Sequence, residues 1–541
     1  MITSDTKRIE SLTCAGAWGN KTIHQILAQH VESQPDALAV KDQPNREDLT
    51  GDAPISLTWL ELDRASDSFA SQLNSQGVRE GDRVIVQLPN IAELAVAYYA
   101  FSKLGAVISP VPVQYSRHEL QTMASTLNAK IMISIDRFAN LELAANAQQA
   151  LADIKMLVIG GDLKLDPSNI QKFVSGLEPD ANRILTIAWT SGTTGTPKGV
   201  PRSHNMWLAT GRASAEASSL TADDKMLCPF PLINMAALGG MLIPCLLHGC
   251  SLILHHPLDA DLMLQQIAQE SITFTVVPPA MLNQLAKSAE MWGKYDLNSL
   301  RSVGSGSAPL SPWMIETFRD DYGIEVINMY GSNEGIALYA TPANAPDANT
   351  RATDFRRPDV GESFATKVAD PETGEEFTEI GDKGELLVSG ATVIDGYFKH
   401  DNVDVFSKDG YFRTGDLVEI CGEKGQYYRI VGRCKDIINR GGMKISPAEI
   451  DVLLESYPGS ADAAVCGYPD ERLSEKVCAC LVLHEGSEKP GLSELQNWLL
   501  EKGLAKFKLP ERIEVFEALP RNPVGKVQRF RLMDIVSQIV G

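Results

Sequence analysis

Ten consecutive residues, Thr190 to Gly199, carry five hydroxyls, three glycines and one lysine. Gly192, Gly195 and Gly199 have no Cβ, so the backbone here bends sharply and comes close to a ligand. Successive N–H groups in such a loop form a nest for anionic oxygens. The hydroxyls of Thr190, Ser191, Thr193, Thr194 and Thr196 add neutral donors, and Lys198 adds a mobile point charge. That is the chemistry of a polyphosphate cradle. A flexible Ser/Thr/Gly linker is the plain alternative. It explains neither the Pro197-Lys198-Gly199 ending nor the apolar run Ile184 to Trp189 before the loop, which reads as a strand. The Walker spacing also fails, because counting from Gly192 puts Pro197 where its second glycine belongs.

Five later stretches carry the remaining chemistry. Ser302 to Pro309 is a strand running into a turn of small residues, against which a flat ring can lie. In Asn328 to Glu334 a carboxylate follows a strand and a glycine turn, and Glu334 suits Mg²⁺, which takes carboxylate oxygens and bridges substrate phosphates. Tyr411-Phe412-Arg413-Thr414-Gly415-Asp416 places a carboxylate after a tight turn, where it can accept both hydroxyls of a ribose. Basic groups recur at Arg433, Lys435 and Lys526, the last in Pro520 to Val527. Taken singly, these read as an ordinary turn, a surface acid or a solvated lysine.

In this order the motifs resemble those of the adenylate-forming (ANL) superfamily of acyl-CoA and aryl-CoA synthetases, adenylation domains and luciferases. The resemblance covers nearly the whole chain. It implies that the Thr190–Lys198 loop holds the β- and γ-phosphates of ATP. Gly306, Ser307, Ala308 and Pro309 line the adenine pocket, and Tyr330 and Gly331 complete that side. Asn333 stands where the superfamily's Tyr-Gly-x-Thr-Glu has threonine, and its amide is expected to contact the α-phosphate. Glu334 carries Mg²⁺, Asp416 holds the ribose, and Arg433 contacts ribose or phosphate. Lys435 is the hinge and Lys526 the catalytic lysine. The implied reaction has two halves: a carboxylic acid attacks the α-phosphate to give acyl-adenylate and pyrophosphate, then a thiol takes the acyl group.

The elements that must position these groups follow from periodicity. Strands and helices alternate from Asp82 to Ile135 and again from Lys225 to Gly304, the pattern of parallel α/β layers. Helices are expected at Trp59 to Gln76, Ile91 to Leu104 and Ala236 to His248. From about Gly361 short alternating runs indicate an antiparallel β subdomain, and a small α+β module begins near Lys435. The expected fold is therefore α/β, with residues 1–434 as a large N-terminal domain and 435–541 as a small mobile C-terminal domain; a chain of 541 residues is too long for one core. The formal net charge of −20 argues against nucleic acid or anionic membrane as the main partner. The nine cysteines include no Cys-x-x-Cys pair and read as reduced thiols. The polar Met1 to Asn20 lacks a signal-type apolar region, and no apolar run reaches membrane-spanning length, so a cytoplasmic location is expected.

The resemblance places the acyl pocket at Pro231 to Gly240, the Ser305–Ser307 turn and Tyr330 to Ser332, with Asn234, Met235, Ala236, Gly240, Ser305 and Ser332 as lining residues. No acid occurs in Ile233 to Ala237 to hold an ammonium, so an amino-acid substrate is not expected. With the chain ending at Gly541 no attached carrier domain is in view, and coenzyme A is the expected acceptor. A stand-alone aryl-acid activator that loads a carrier-protein thiol is the alternative, in keeping with Val86 to Leu94 and Val276 to Pro279. A nucleotide-binding protein without catalysis is disfavoured, since Lys198, Glu334, Asp416, Arg433 and Lys526 are all present.

Overall fold

The computed structural model describes residues 1–190, 197–307, 310–358, 363–440, 443–470, 472–521 and 525–540. Internal contacts divide the chain into two compact units. One takes in Met1–Thr190, Pro197–Ala365 and Ser389–Val405; the other takes in Thr366–Val388 and Phe406–Gly541. The fold is mixed α/β, as the periodicity indicates.

The first unit contains two sheets. In one, Lys155–Ile159, Ile131–Ile135, Arg83–Gln87, Val107–Pro110 and Ile184–Trp189 run parallel in that spatial order, and Gly199–Ser203 closes the edge antiparallel. In the other, Glu325–Gly331, Ser302–Gly306, Phe274–Val276, Lys225–Cys228, Ser251–Leu254 and Leu38–Lys41 form the parallel centre. Its antiparallel edges are Ala337–Ala340 and Ser56–Thr58. Parallel strands are covered on both faces, which is why they read as nearly continuous apolar runs. The helix Ala92–Leu104 is buried along nearly its whole length, with Tyr98, Tyr99 and Phe101 in the largest core cluster and its charged Glu93 and Lys103 in ion pairs. The helix Trp59–Ser75 starts at a capping box between Thr58 and Glu61.

In the second unit Lys383–Gly390, Phe412–Cys421 and Tyr427–Arg433 are antiparallel neighbours. The C-terminal module is built on the long antiparallel pair Ser460–Asp470 and Ser474–Leu483, with Arg512–Val515 alongside in parallel. One face of this sheet packs Val465, Val477 and Ala479 with Ile450 and Leu499. The other packs Cys466, Cys478 and Cys480 with Leu532 and Val536 of the helix Arg529–Val540. All nine cysteines are free thiols.

Two local expectations change. The helix expected over Ala236 to His248 is a π-helical stretch, Met235–Leu242, that passes into an α-helix, Ile243–His248. Gly239 faces Trp207 and Thr210, where a Cβ would come within 2.8 Å of the threonine methyl, and Pro244 lacks an N–H to continue a regular ladder. Asp416 does not follow a tight turn. It lies within the strand Phe412–Cys421, at an irregularity created by Gly415, whose φ is +71°. Among the described residues no helix is long and apolar enough to cross a membrane.

Candidate functional site

In the first unit the strands on either side of the glycine-rich stretch Thr190 to Gly199 are paired. Ile184–Trp189 pairs antiparallel with Gly199–Ser203, and Thr190 N–H donates to Lys198 C=O at 3.1 Å. Lys198 N–H in turn donates to Thr190 Oγ1 at 3.3 Å. These bonds close the base of the loop. Its central residues Ser191, Gly192, Thr193, Thr194, Gly195 and Thr196, together with Ala308 and Pro309 of the second turn, lie outside the described residues.

Lys198 and Glu334 meet on one side chain, Tyr397. The Lys198 ammonium sits 4.6 Å from the centre of the Tyr397 ring, and Tyr397 Oη donates to Glu334 Oε1 at 2.8 Å. Glu334 follows the strand Glu325–Gly331 in a turn closed by Gly335 N–H to Ser332 C=O. That turn requires glycine: Gly335 has φ +114°, and a Cβ there would stand 2.1 Å from Thr392 O. The half-buried carboxylate fits a magnesium ion carried by nucleotide phosphates. Mg²⁺ takes one or two protein carboxylates and fills its remaining positions with water and phosphate. Among the described residues no cluster of three or more His, Cys, Asp or Glu side chains could hold a metal without a substrate.

Behind this pair lies Arg202, fully buried. Its guanidinium donates to Asn333 O at 2.8 Å, Met206 O at 3.0 Å, Thr392 O at 3.0 Å and Thr210 Oγ1 at 2.7 Å. It also stacks on the Trp207 ring at 4.2 Å. Burial lowers its pKa to about 9, against the opposing pull of Glu334 and Tyr339. A buried cation bonded to carbonyls fixes the two chain segments that carry Glu334 and Tyr397.

The expected acyl wall also comes together in this unit. The parallel pairing of Ser302–Gly306 with Glu325–Gly331 sets Gly306 beside Met329, and a Cβ on Gly331 would lie 3.6 Å from Met235 Cγ. Asn234 caps the π-helical stretch, its Oδ1 accepting from Ala236 N at 3.1 Å and Ala237 N at 3.4 Å. Asn90 anchors the segment that leads to it: Nδ2 donates to Phe230 O at 2.7 Å, and Oδ1 accepts from Leu232 N at 2.7 Å. Ala236 is exposed, and a Cβ on Gly240 would meet only Met235 O, at 3.8 Å. Ser305 is fully buried and its hydroxyl donates to Val277 O at 2.7 Å, which turns it away from any open face. Ser332 Oγ is buried and has no hydrogen-bond partner among the described residues. Ser307 is exposed with φ +68°, and the Tyr330 ring lies tilted against Phe355 with centroids 5.6 Å apart.

The second unit groups three more of the expected residues. Arg433 Nε lies 2.8 Å from Asp416 Oδ1, on neighbouring strands in direct register. The buried carboxylate of Glu385 shapes this place, accepting from Gly415 N at 2.9 Å and from the Arg413 guanidinium. Lys526 is exposed along its side chain, while its ammonium is crowded by protein and by Arg433, Asp416, Asp436 and Arg529. Desolvation, with Arg433 acting in the same sense, lowers its pKa below the usual lysine value; Asp416 and Asp436 oppose the shift. Lys435 is exposed in a turn that leaves the strand Tyr427–Arg433.

Sequence reasoning missed Tyr397, Arg202 and Glu385. The local signals are slight: an aromatic after Gly396, a lone arginine inside a strand, and an acid in an alternating run.

The family model described as AMP-binding enzyme matches residues 27–398, and that of the AMP-binding enzyme C-terminal domain matches 449–526. The chain is 29% identical to the salicyl-AMP ligase / salicyl-S-ArCP synthetase of Mycobacterium tuberculosis (strain ATCC 25618 / H37Rv), over 96% of this chain and 92% of that protein. It is 28% identical to the medium-chain fatty-acid–CoA ligase of Escherichia coli (strain K12), over 98% and 93%. In structure it is similar to the o-succinylbenzoate coenzyme A synthetase of Bacillus subtilis in complex with ATP and magnesium ion. There the TM-score is 0.80 at 25% identity, covering 95% of this chain and 100% of the other.

Proposed function

The chain belongs to the AMP-binding enzyme family, an AMP-forming acid–thiol ligase by that kinship, and from this premise we propose that it joins a monocarboxylic acid to coenzyme A. The observation that carries the adenylation half is the Lys198–Tyr397–Glu334 cluster, a cation and a carboxylate fixed on one tyrosine at the base of a glycine-rich loop. Magnesium ATP is the co-substrate. The ion, held by Glu334, would supply charge neutralisation on the phosphates.

The remaining work is positioning and charge, which suits phosphoryl-centre chemistry with little covalent participation by the protein. Lys198 and the loop hydroxyls hold the departing pyrophosphate. Asp416 accepts from the ribose hydroxyls, and Arg433 keeps that carboxylate oriented. The Lys526 ammonium neutralises the attacking carboxylate and the α-phosphate oxygens. Residues 435–541 act as the mobile domain, turning about Lys435 between the two half-reactions.

The acid is an uncharged aliphatic chain of medium length or a simple aryl group. Supporting this, Phe230 to Gly240 contains no acidic or basic side chain, and the one oxygen that Asn234 could offer is engaged in capping. A second reading, transfer to a carrier-protein thiol, is favoured by the similarity to the salicyl-AMP ligase / salicyl-S-ArCP synthetase. The deciding experiment is a panel of acids scored by pyrophosphate release, followed by thioester analysis of the best acid with coenzyme A and with a phosphopantetheinylated carrier protein. Acyl-CoA is the expected product. Acyl transfer to the carrier with none to coenzyme A would replace the first reading by the second.

A further inference from the structure

Asn333 stands where the resembling superfamily has a phosphate-contacting threonine, yet its side chain is built into something else. Nδ2 donates to Trp189 O at 3.1 Å, at the end of the strand that enters the phosphate loop. Oδ1 accepts from Met235 N at 2.8 Å, the first residue of the π-helical wall. The Asn333 carbonyl is itself held by buried Arg202 at 2.8 Å. Both ends of one carboxamide are thus tied to opposite neighbours, which fixes its plane.

We infer that Asn333 is a specificity-determining residue that sets which acids the enzyme accepts, by holding the start of the wall Met235–Leu242 in place. This deepens the adenylation reading and rests on it. Met235 is the adjustable part. Its side chain lies against Gly331 and Gly239, so its position decides the room beside those two glycines. A threonine hydroxyl offers one donor at the end of a shorter side chain, and it does not span from Trp189 O to Met235 N. Losing the bond to Met235 N leaves a backbone donor without its partner and lets the first turn of the wall shift. The consequence falls on the acid, with the nucleotide loop still closed by Thr190 and Lys198.

The test uses the full-length enzyme. Asn333→Thr and Asn333→Ser are assayed by pyrophosphate release against straight-chain acids of increasing length and benzoate, and separately for the KM of ATP with the best acid. The ratio of kcat/KM between long and short acids is expected to change about tenfold while the KM for ATP stays within about twofold. Asn333→Asp, which keeps an acceptor for Met235 N, is expected to hold the wild-type ranking more closely than either. Asn333→Ser carries the same expectation where Asn333→Thr does not fold. A KM for ATP that rises as much as the acid ratio moves, or variants in which neither moves, would overturn the inference and leave the adenylation reading standing. A wild-type enzyme that releases pyrophosphate with no acid in the panel overturns both.

Discussion

The two charged clusters are held by different means. In the first unit Lys198 and Glu334 rest on a tyrosine, and the segments around them are tied by a carboxamide and by a fully buried guanidinium bonded to carbonyls. No carboxylate is paired with Arg202 among the described residues. In the second unit Asp416 and Arg433 hold each other, with side chains 16% and 31% exposed, and Lys526 adds a third charge in the same field. Buried hydrogen bonds fix a geometry and respond little to salt. Partly exposed ion pairs are screened and are rearranged at small cost. The first arrangement suits a site that must present the same face to ATP throughout the cycle. The second suits Lys526, which on the proposed reading serves one half-reaction and then withdraws.

The sharpest way to break this contrast is at Lys526. Lys526→Ala is expected to lower adenylation on the order of 100- to 1000-fold, the usual effect of deleting one charge-stabilising donor. Conversion of supplied acyl-adenylate to thioester should change far less. Lys435→Pro, which fixes φ in the turn, is expected to give the opposite split, sparing pyrophosphate exchange and stopping thioester formation. Separate assays of the two half-reactions check both. Because the Lys526 pKa is lowered, its charged form is lost at a lower pH than for an ordinary lysine, so adenylation should decline early on the alkaline side. In Lys526→Arg that decline moves to higher pH.

Tyr397→Phe probes the first cluster. It keeps the ring beneath Lys198 and removes the hydroxyl from Glu334. The Mg²⁺ concentration for half-maximal rate is expected to rise about tenfold, with the thioester half-reaction unaffected. A Mg²⁺ titration at saturating ATP reads it directly.

The motifs of both clusters were legible in the sequence because each is local: a loop, a Thr-Gly-Asp run, an exposed lysine between prolines and glycines. The frame was not. Tyr397 is 63 residues from Glu334, and Arg202 reaches a carbonyl 190 residues away. No window of sequence contains such pairs. The helix expected at Ala236 to His248 shows the same limit. Its apolar pattern is real, but Gly239 against Trp207 and the cap at Asn234 decide that the first part winds as a π-helix. Asp416 was identified by its neighbours, whereas the strand irregularity that carries it depends on Glu385, some thirty residues earlier in the chain.

Two adjacent glycines sharpen the comparison between wall and core. Gly239→Ala drives a methyl into Trp207 and Thr210 and is expected to destabilise by about 1–3 kcal/mol. Gly240→Val, whose Cβ would make an ordinary contact with Met235 O at 3.8 Å, should leave the melting temperature close to wild type while shifting preference toward shorter acids. Thermal melts and the acid panel separate the two effects.

A further effect concerns acid stability of the first unit. Burial lowers the pKa of His24 and His256 to about 4 and that of His204 to about 3. Lys103 adds to the shift of His24, His24 and Arg183 to that of His204, and His255 to that of His256. All three stay neutral in the folded chain, whereas the unfolded chain protonates near pH 6.5. Below that pH the unfolded state binds protons that the folded state does not. The contribution to stability is therefore complete above pH 6.5 and is lost progressively down to about pH 3, the lowest of the three folded values. Denaturant unfolding across this range, followed by the fluorescence of buried Trp207 and Trp59, measures the slope.

The central claim is that this chain activates an acid through an acyl-adenylate. Exchange of labelled pyrophosphate into ATP tests it most directly, because only reversible attack on the α-phosphate returns the label. The expected result is exchange that requires both Mg²⁺ and the carboxylic acid, proceeds without coenzyme A, and falls sharply in Lys526→Ala. Exchange that is independent of any acid, or consumption of ATP to ADP and inorganic phosphate, would contradict it.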